Sequence, residues 1–359
     1  MDKINHHNKI NILKAFAIML VVSGHLEFSL IPGFPPYSFQ LALFFFISGM
    51  LFNDKYGFWV YTKKRIKSLL FPYFTYALFY LVLTIALAPV VKKFWGLPIT
   101  FKNEILMPFL TGHQLDLISP LWFVPQLFIS LIVFYIFNRL KLSNKLKTFI
   151  LFILALIAIQ LEPFSKNLYI LLCQRTMFSL LFIYLGFLYK NSCDDFKTKL
   201  FSSKMFFIVI ITQSILWFTN KDYTPQDGIG LSYILVWGNY DNWIVPVLTS
   251  ISGIWISLFI LENVYDRIKN CSFLHKIGEN TYHLMANHLL VFNILTYTFL
   301  YIKGIPFEIK NNADIYMFYY PLKTTYFYFI FGIITTTYLG MFLKRIKNYI
   351  RSYLTSKLI

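Results

Sequence analysis

Ionisable side chains inside the apolar runs of this chain are few, and these are the residues whose types could do chemistry. The clearest are Lys14, His25, Glu27, Arg175 and His288, with His283 near an interface and Lys323 at the start of the last run. Because an ionisable group in hydrocarbon is costly, each of them is a candidate functional residue. A neutral imidazole can take a proton from an alcohol, and a lysine can hold a phosphate as a point charge. The set is therefore compatible with acyl transfer to a hydroxyl.

Lys14 and His25 are eleven residues apart, which places them within roughly 20° of each other around a helix and about 16 Å apart along its axis. A donor with anionic phosphates at one end and a reactive group at the other could bridge that distance. The alternative is that Lys14 reaches to the membrane interface and His25 hydrogen-bonds a neighbouring helix. For Lys14, the spacing alone favours this alternative.

The remaining candidates also have two interpretations. Glu27 lies about 200° around an unbroken helix from His25, so it does not orient that imidazole and is expected to face the outer mouth. Arg175 could stabilise an oxyanion or an anionic substrate group, or it could be a structural arginine paired with helix carbonyls. His288, with His283 five residues earlier, could line the same cavity or could be a packing histidine.

Membrane helices must position these residues. The chain has 359 residues, of which 57% are hydrophobic and 14% charged, and its mean hydropathy is +0.58. A soluble domain would have about a quarter of its residues charged. We predict an all-α polytopic membrane protein that forms one domain over residues 1–359, with no additional soluble domain and with the first apolar run retained rather than cleaved.

Ten apolar runs are long enough to be spans. They cover residues 10–30, 38–52, 68–91, 120–138, 146–161, 168–189, 205–219, 243–261, 282–302 and 322–343. Ten spans place both termini on one side of the membrane. A cytoplasmic N-terminus puts 23 Lys and Arg residues inside and eight outside, as the positive-inside rule requires. The net charge of +17 therefore reports topology, and we expect no nucleic-acid partner.

Two further features lie at the ends of the spans. The basic run Lys63, Lys64, Arg65 and Lys67 precedes the third span; it is a topology determinant, and it also stands where the phosphates of cytoplasmic CoA would need cations. The outer segments 92–119 and 220–242 mix aromatic and polar groups, which suits a carbohydrate or lipid head group or, equally, an interfacial aromatic belt. These groups are Trp95, His113, Asp116, Tyr223, Trp237 and Asp241.

Five sequence elements occur in an order typical of one family. They are residues 12–25 with Lys14 and His25, the run 43–49 (Leu-Phe-Phe-Phe-Ile-Ser-Gly), the basic entry 64–73, the Leu-Trp-Phe segment in 120–125, and residues 277–281 followed by His288. With these elements the chain resembles the acyltransferase 3 family of membrane O-acyltransferases in its stand-alone form. It departs from the pattern at Gln40 and Ala42, where many relatives carry histidine and proline, and at Ser68 and Thr281.

The resemblance implies transfer of an acyl group, usually acetyl, from cytoplasmic acetyl-CoA to a hydroxyl of a cell-surface glycan or its lipid-linked precursor. O-antigen and other polysaccharides are the expected acceptors, and a bacterial inner membrane is the expected location. In this interpretation His25 is the catalytic base, no metal takes part, and the other site residues bind the two substrates. Lys14, Lys64, Arg65 and Lys67 hold the donor, while Glu27, Gln40, Trp122, Arg175 and His288 line the acceptor cavity.

The main alternative is a transporter or flippase for a lipid-linked sugar, which also needs many helices and a polar cavity. Transport coupled to protons would require carboxylates inside the membrane, and Glu27 is the one clear candidate in the sequence. A polysaccharide polymerase shares the number of spans and the outer loops, but the motifs argue against it.

Overall fold

The computed structural model describes residues 3–91, 95–112, 115–220, 231–240, 242–305 and 324–356. Within these ranges the secondary structure is helical, and the only β contacts are three isolated bridges. Of the residues singled out from the sequence, His113, Tyr223, Asp241 and Lys323 lie outside the described ranges.

Fourteen α-helices occur in the described part of the chain. They are α1 Lys3–Gly24, α2 Gln40–Met50, α3 Phe58–Arg65, α4 Phe71–Val91, α5 Met107–Leu110, α6 Phe123–Asn138, α7 Asn144–Gln160, α8 Leu168–Asn191, α9 Asp194–Leu200, α10 Ser203–Thr219, α11 Val245–Ile268, α12 Ser272–Glu279, α13 Thr281–Ile302 and α14 Thr325–Ser356. A π-helical turn at Ile66–Leu70 joins α3 to α4, and a 3₁₀ segment at Asp116–Trp122 leads into α6.

Six helical segments of the described residues are long and apolar enough to cross a membrane, or seven if the bent pair of α9 and α10 forms one span. The prediction of an all-α membrane protein is confirmed. Each of the ten predicted runs contains a helix. However, α2 has 11 residues and is therefore only about 17 Å long, which is too short to cross a hydrocarbon core of about 30 Å.

The first helix is shorter than its apolar run. The prediction that residues 10–30 form one span is wrong beyond Gly24, where α1 ends. The amides of Leu26 and Glu27 bond to Ser23 and Gly24 in a tighter turn, and Glu27 then takes a left-handed conformation with a φ of 58°. Because proline lacks an N–H and fixes its φ, Pro32 and the prolines that follow prevent the helix from resuming.

The position of α1 explains why so many of its side chains are buried. It packs against α2, α11, α12, α13 and α14. Gly278 of α12 lies so close to the carbonyl of Asn11 that a Cβ at this glycine would collide with it. Lys14 and His25 are therefore carried by a helix that other helices surround rather than by one that faces lipid.

A second close contact joins α2 to α8. A Cβ on Gly49 would collide with the carbonyl of Ile183, and a Cβ on Gly186 would collide with the carbonyl of Phe46. Small residues of this kind let two membrane helices approach at backbone distance. The contact fixes α2, and with it the chain segment that enters α2 from His25.

Exposed apolar side chains mark the faces that meet lipid. Phe71, Leu78, Phe79, Val82 and Ile85 of α4, with Phe207, Ile211, Ile215 and Phe218 of α10, are all exposed. A soluble protein would not leave such continuous apolar faces in water. The interior of the bundle, by contrast, holds the buried polar side chains.

Candidate active site

His25 is the first residue after the end of α1 and begins the loop that leads to α2. Its amide still donates to the carbonyl of Val21 at 3.2 Å, so the residue keeps the helical register although α1 ends one residue earlier. Lys14 therefore remains on the same face about 16 Å away, as its spacing predicts. The structure retains the geometry that the sequence indicated for this pair.

His288 of α13 is the nearest second imidazole. The ring centroids of His25 and His288 are 5.0 Å apart and the rings are inclined by 42°. Nδ1 of His288 lies 2.8 Å from the carbonyl oxygen of Leu284, and because a carbonyl only accepts, Nδ1 carries the hydrogen. Its Nε2 is buried and has no hydrogen-bond partner among the described residues. An unpartnered buried lone pair is costly, so this atom is a candidate for contact with a substrate.

Tyr37 approaches His25 from the loop between α1 and α2. Its hydroxyl oxygen lies 3.4 Å from Nδ1 of His25, and the two rings meet edge to face with centroids 5.9 Å apart. The sequence pattern does not indicate this residue, because Tyr37 reaches His25 only through an unusual backbone conformation, a φ of 62°.

Lys14 lies at the other end of the same helix face, among charged groups of α12 and α14. Its Nζ donates to Oδ1 of Asn11 at 3.4 Å, and Lys344 and Glu279 are its charged neighbours. Lys344 in turn donates to the backbone carbonyl of Glu279 at 2.7 Å. Lys14 therefore faces a helix junction that contains a second lysine.

Between the two ends, a polar network connects α4 to α13. The hydroxyl of Tyr76 lies 2.6 Å from Nδ1 of His283 and accepts from Nδ2 of Asn287 at 3.1 Å. Tyr80 donates to Oδ1 of Asn287 at 3.0 Å. Tyr76 and Tyr80 are four residues apart, as are His283 and Asn287, and this matching helical spacing is a signal from which the network could have been predicted.

Arg175 of α8 is buried, with 1% of its surface exposed, and it contacts backbone carbonyls. Its guanidinium donates to Leu110 and Thr111 at 3.2 Å each and to Val236 at 2.6 Å. These contacts are those expected of a structural arginine that pairs with backbone carbonyls. They join the end of α5 to the segment 231–240.

The remaining predicted cavity residues do not gather around His25 through the contacts that the structure describes. Trp122 lies with its ring 5.3 Å from the guanidinium of Arg175. Gln40 is buried and bonds locally, accepting from the amide of Phe39 and donating to the carbonyl of Pro35. Glu27 is exposed and lies outside any helix.

The basic residues that precede α4 lie on the surface. Lys64 and Lys67 are exposed, and Nζ of Lys64 lies 3.2 Å from the ring centroid of Tyr56. A hydrogen bond from Lys64 and its positive charge lower the pKa of Tyr56. Arg65 lies over the ring of Tyr61 at 4.9 Å. In the described part of the chain, none of the three cations contacts Lys14.

No group of three or more His, Cys, Asp or Glu side chains among the described residues has the arrangement of a metal site.

Comparison with known proteins supports the resemblance found in the sequence. The family described as "Acyltransferase domain", of the acyltransferase 3 type, matches residues 7–345, which include α1 and almost every other described helix. No curated protein and no solved structure gives a match. Because the match extends over nearly the whole chain, the protein belongs to the acyltransferase 3 family and is a multi-pass membrane acyltransferase.

Proposed function

We propose that this protein transfers an acetyl group from cytoplasmic acetyl-CoA to a hydroxyl of a cell-surface glycan or its lipid-linked precursor. The observation that carries the proposal is the arrangement along one face of α1. Lys14 stands beside Lys344 at one end, and His25 stands beside His288 at the other. One end suits the phosphates of a nucleotide thioester, and the other suits the deprotonation of an alcohol.

The reaction needs a base for the acceptor hydroxyl and a proton for the departing CoA thiolate. His25 takes the proton of the acceptor hydroxyl as that oxygen attacks the thioester carbonyl. The carbon–sulfur bond breaks, and the CoA thiolate receives the proton from the imidazolium. The products are an acyl ester and free CoA, and the imidazole returns to its neutral form.

For the donor, we propose that Lys14 holds a phosphate near the cytoplasmic surface, and that Lys64, Arg65 and Lys67 attract the anion before it binds. The exposure of Lys64 and Lys67 suits attraction over a distance better than tight binding. Exposed charges act through solvent and raise the rate of encounter more than the affinity.

The proposed topology has ten membrane crossings, and α2 makes the second one together with the residues on either side of it, because the helix alone is too short. Both termini are in the cytoplasm of a bacterial cell, and the protein is in the inner membrane. This topology rests on the distribution of Lys and Arg between alternate loops. It places Lys14 on the cytoplasmic side and His25 toward the outer half of the bilayer. The segments 95–112 and 231–240 then lie outside, where a glycan would arrive.

The test is His25→Ala in membranes incubated with radiolabelled acetyl-CoA and glycan extracted from a strain that lacks the protein. We expect label in the glycan to fall by at least about 100-fold, which is typical of a lost general base. His275→Ala is the matched control, because His275 bonds to the carbonyl of Lys269 and takes no part in the site.

Normal labelling by a well-expressed His25→Ala protein would refute the assignment of the base. If the wild-type protein forms no ester but catalyses counterflow of a lipid-linked sugar, the transporter alternative is correct instead.

A further inference from the structure

Tyr37 has a backbone conformation that few tyrosines adopt. Its φ of 62° lies in the left-handed region, and Glu27 is the other described residue besides glycine with a positive φ. A bulky L-residue in this region is strained, and such strain persists only where surrounding contacts hold it. Strained residues of this kind are concentrated at functional sites.

Contacts from distant parts of the chain hold Tyr37 in place. The amide of Tyr233 donates to the carbonyl of Tyr37 at 3.1 Å, and the hydroxyl of Ser232 donates to the carbonyl of Pro36 at 2.5 Å. On the other side, the hydroxyl of Ser38 donates to the carbonyl of Pro35 at 2.7 Å. The segment 231–240 and the loop before α2 together fix the backbone on both sides of the strained residue.

This conformation directs the side chain of Tyr37 onto the end of α1. Its ring lies beside Gly24, where a Cβ would be 3.9 Å from the ring atoms. Its hydroxyl reaches Nδ1 of His25 at 3.4 Å. The strained backbone therefore brings the hydroxyl of Tyr37 to the proposed base.

The partner at Nδ1 decides which nitrogen of His25 can act on a substrate. In the proposed reaction, Nε2 is the nitrogen that faces the acceptor hydroxyl. Nε2 is a base only in the tautomer that carries the hydrogen on Nδ1, and this tautomer needs an acceptor at Nδ1. The hydroxyl oxygen of Tyr37 can provide that acceptor. His288 of α13 is a second titratable neighbour, but its Nδ1 hydrogen is given to Leu284.

We propose that Tyr37 is the positioning residue of His25, which accepts the Nδ1 hydrogen and so keeps the lone pair of the imidazole on Nε2. The proposal rests on the function proposed above, with His25 as the base. When Nε2 takes the proton of the acceptor hydroxyl, the same contact stabilises the imidazolium. Tyr37 thus does for His25 what a carboxylate does for the histidine of a catalytic triad, but without a negative charge inside the membrane.

The experiment compares Tyr37→Phe with the wild-type protein in the acetyl-CoA assay, normalised to folded protein. The variant keeps the ring and the backbone and removes one oxygen atom. We expect kcat to fall about 10- to 100-fold, the effect of one lost hydrogen bond to a group that becomes charged, while KM for acetyl-CoA changes less than about twofold. Tyr184→Phe is the matched control, because Tyr184 is a buried tyrosine whose hydroxyl bonds to Asn144, and it should keep the wild-type kcat.

A second measurement does not depend on the folding of any variant. Nitrogen NMR of the wild-type protein with ¹⁵N-labelled histidine distinguishes the two neutral tautomers of His25, and the signal is assigned by its loss in His25→Ala. We expect the hydrogen on Nδ1 in the wild-type protein and a mixture of tautomers in Tyr37→Phe.

A wild-type imidazole with its hydrogen on Nε2 would overturn the proposal. So would a Tyr37→Phe protein with the wild-type kcat when His25→Ala is inactive. If His25→Ala itself keeps full activity, the proposed function fails first, and the two failures are therefore distinguishable.

Discussion

His25 and Arg175 are basic residues of two regions that the sequence presents as similar, since both lie inside long apolar runs. Their surroundings differ. Both terminal nitrogens of the Arg175 guanidinium donate to backbone carbonyls, three in all, whereas its buried Nε has no hydrogen-bond partner among the described residues. The imidazole of His25 faces a second histidine whose Nε2 has no partner among the described residues. A buried basic group in a membrane protein is therefore better interpreted from the hydrogen bonds around it than from its depth.

Substitution of Arg175 is expected to have the largest effect on stability. Arg175→Met leaves three carbonyls without a donor, so we expect the free energy of unfolding to fall by about 3 to 5 kcal/mol. Thermal unfolding in detergent and abundance in the membrane measure this loss. Arg139→Met is the control, because Arg139 also donates to two carbonyls, those of Asp54 and Tyr56, but is exposed, and we expect less than about 1 kcal/mol.

An Arg175→Met protein that stays as stable as the wild type but no longer transfers acetyl groups would contradict this interpretation. Arg175 would then take part in the reaction, as His25 is proposed to do, rather than stabilise the fold.

At His288 we expect the opposite pattern. His288→Leu removes a buried lone pair that has no partner and fills a similar volume, so stability should be kept or slightly raised. Transfer from acetyl-CoA should fall about 100-fold if Nε2 contacts the reacting groups. Melting temperature and kcat are measured on the same preparation, and a loss of both together would show that His288 is a packing residue.

A smaller effect on transfer is expected at Lys14, because this residue is proposed to bind acetyl-CoA and not to take part in the proton transfer at His25. Lys14→Gln removes one cation from the proposed phosphate site, and we expect KM for acetyl-CoA to rise about tenfold with kcat nearly unchanged. Lys145→Gln, an exposed lysine of α7, serves as the control. A fall in kcat without a change in KM would remove Lys14 from the donor site.

The geometry of the two ends of the candidate site could be predicted from the sequence, because it depends on helical spacing. Lys14 and His25 share a face through eleven residues of one helix, and His288 was one of two histidines that could line the same cavity. The family motifs then raised Lys14 above the interpretation in which it only reaches the interface. These inferences needed no knowledge of how the helices pack.

Other parts of the site depend on contacts between distant segments and could not be predicted. Tyr37 reaches His25 because Ser232 and Tyr233, almost two hundred residues later, hold its strained backbone. The two interpretations of Arg175 stayed open because its carbonyl partners come from separate loops. The end of α1 at Gly24 was missed because apolar side chains continue past it, while the left-handed Glu27 turns the chain away.

The position of α1 among later helices also has a consequence for biosynthesis. Of the five helices that enclose it, α11, α12, α13 and α14 begin more than two hundred residues after α1 ends. At ribosomal rates of about 5 to 20 residues per second, α1 waits roughly ten seconds or longer for these neighbours. During that interval Lys14 and His25 are in a helix that is not among those apolar enough to count as a candidate span. We therefore expect α1 to stay beside the insertion machinery until these later helices arrive, so that it enters the bilayer together with neighbours made well after it.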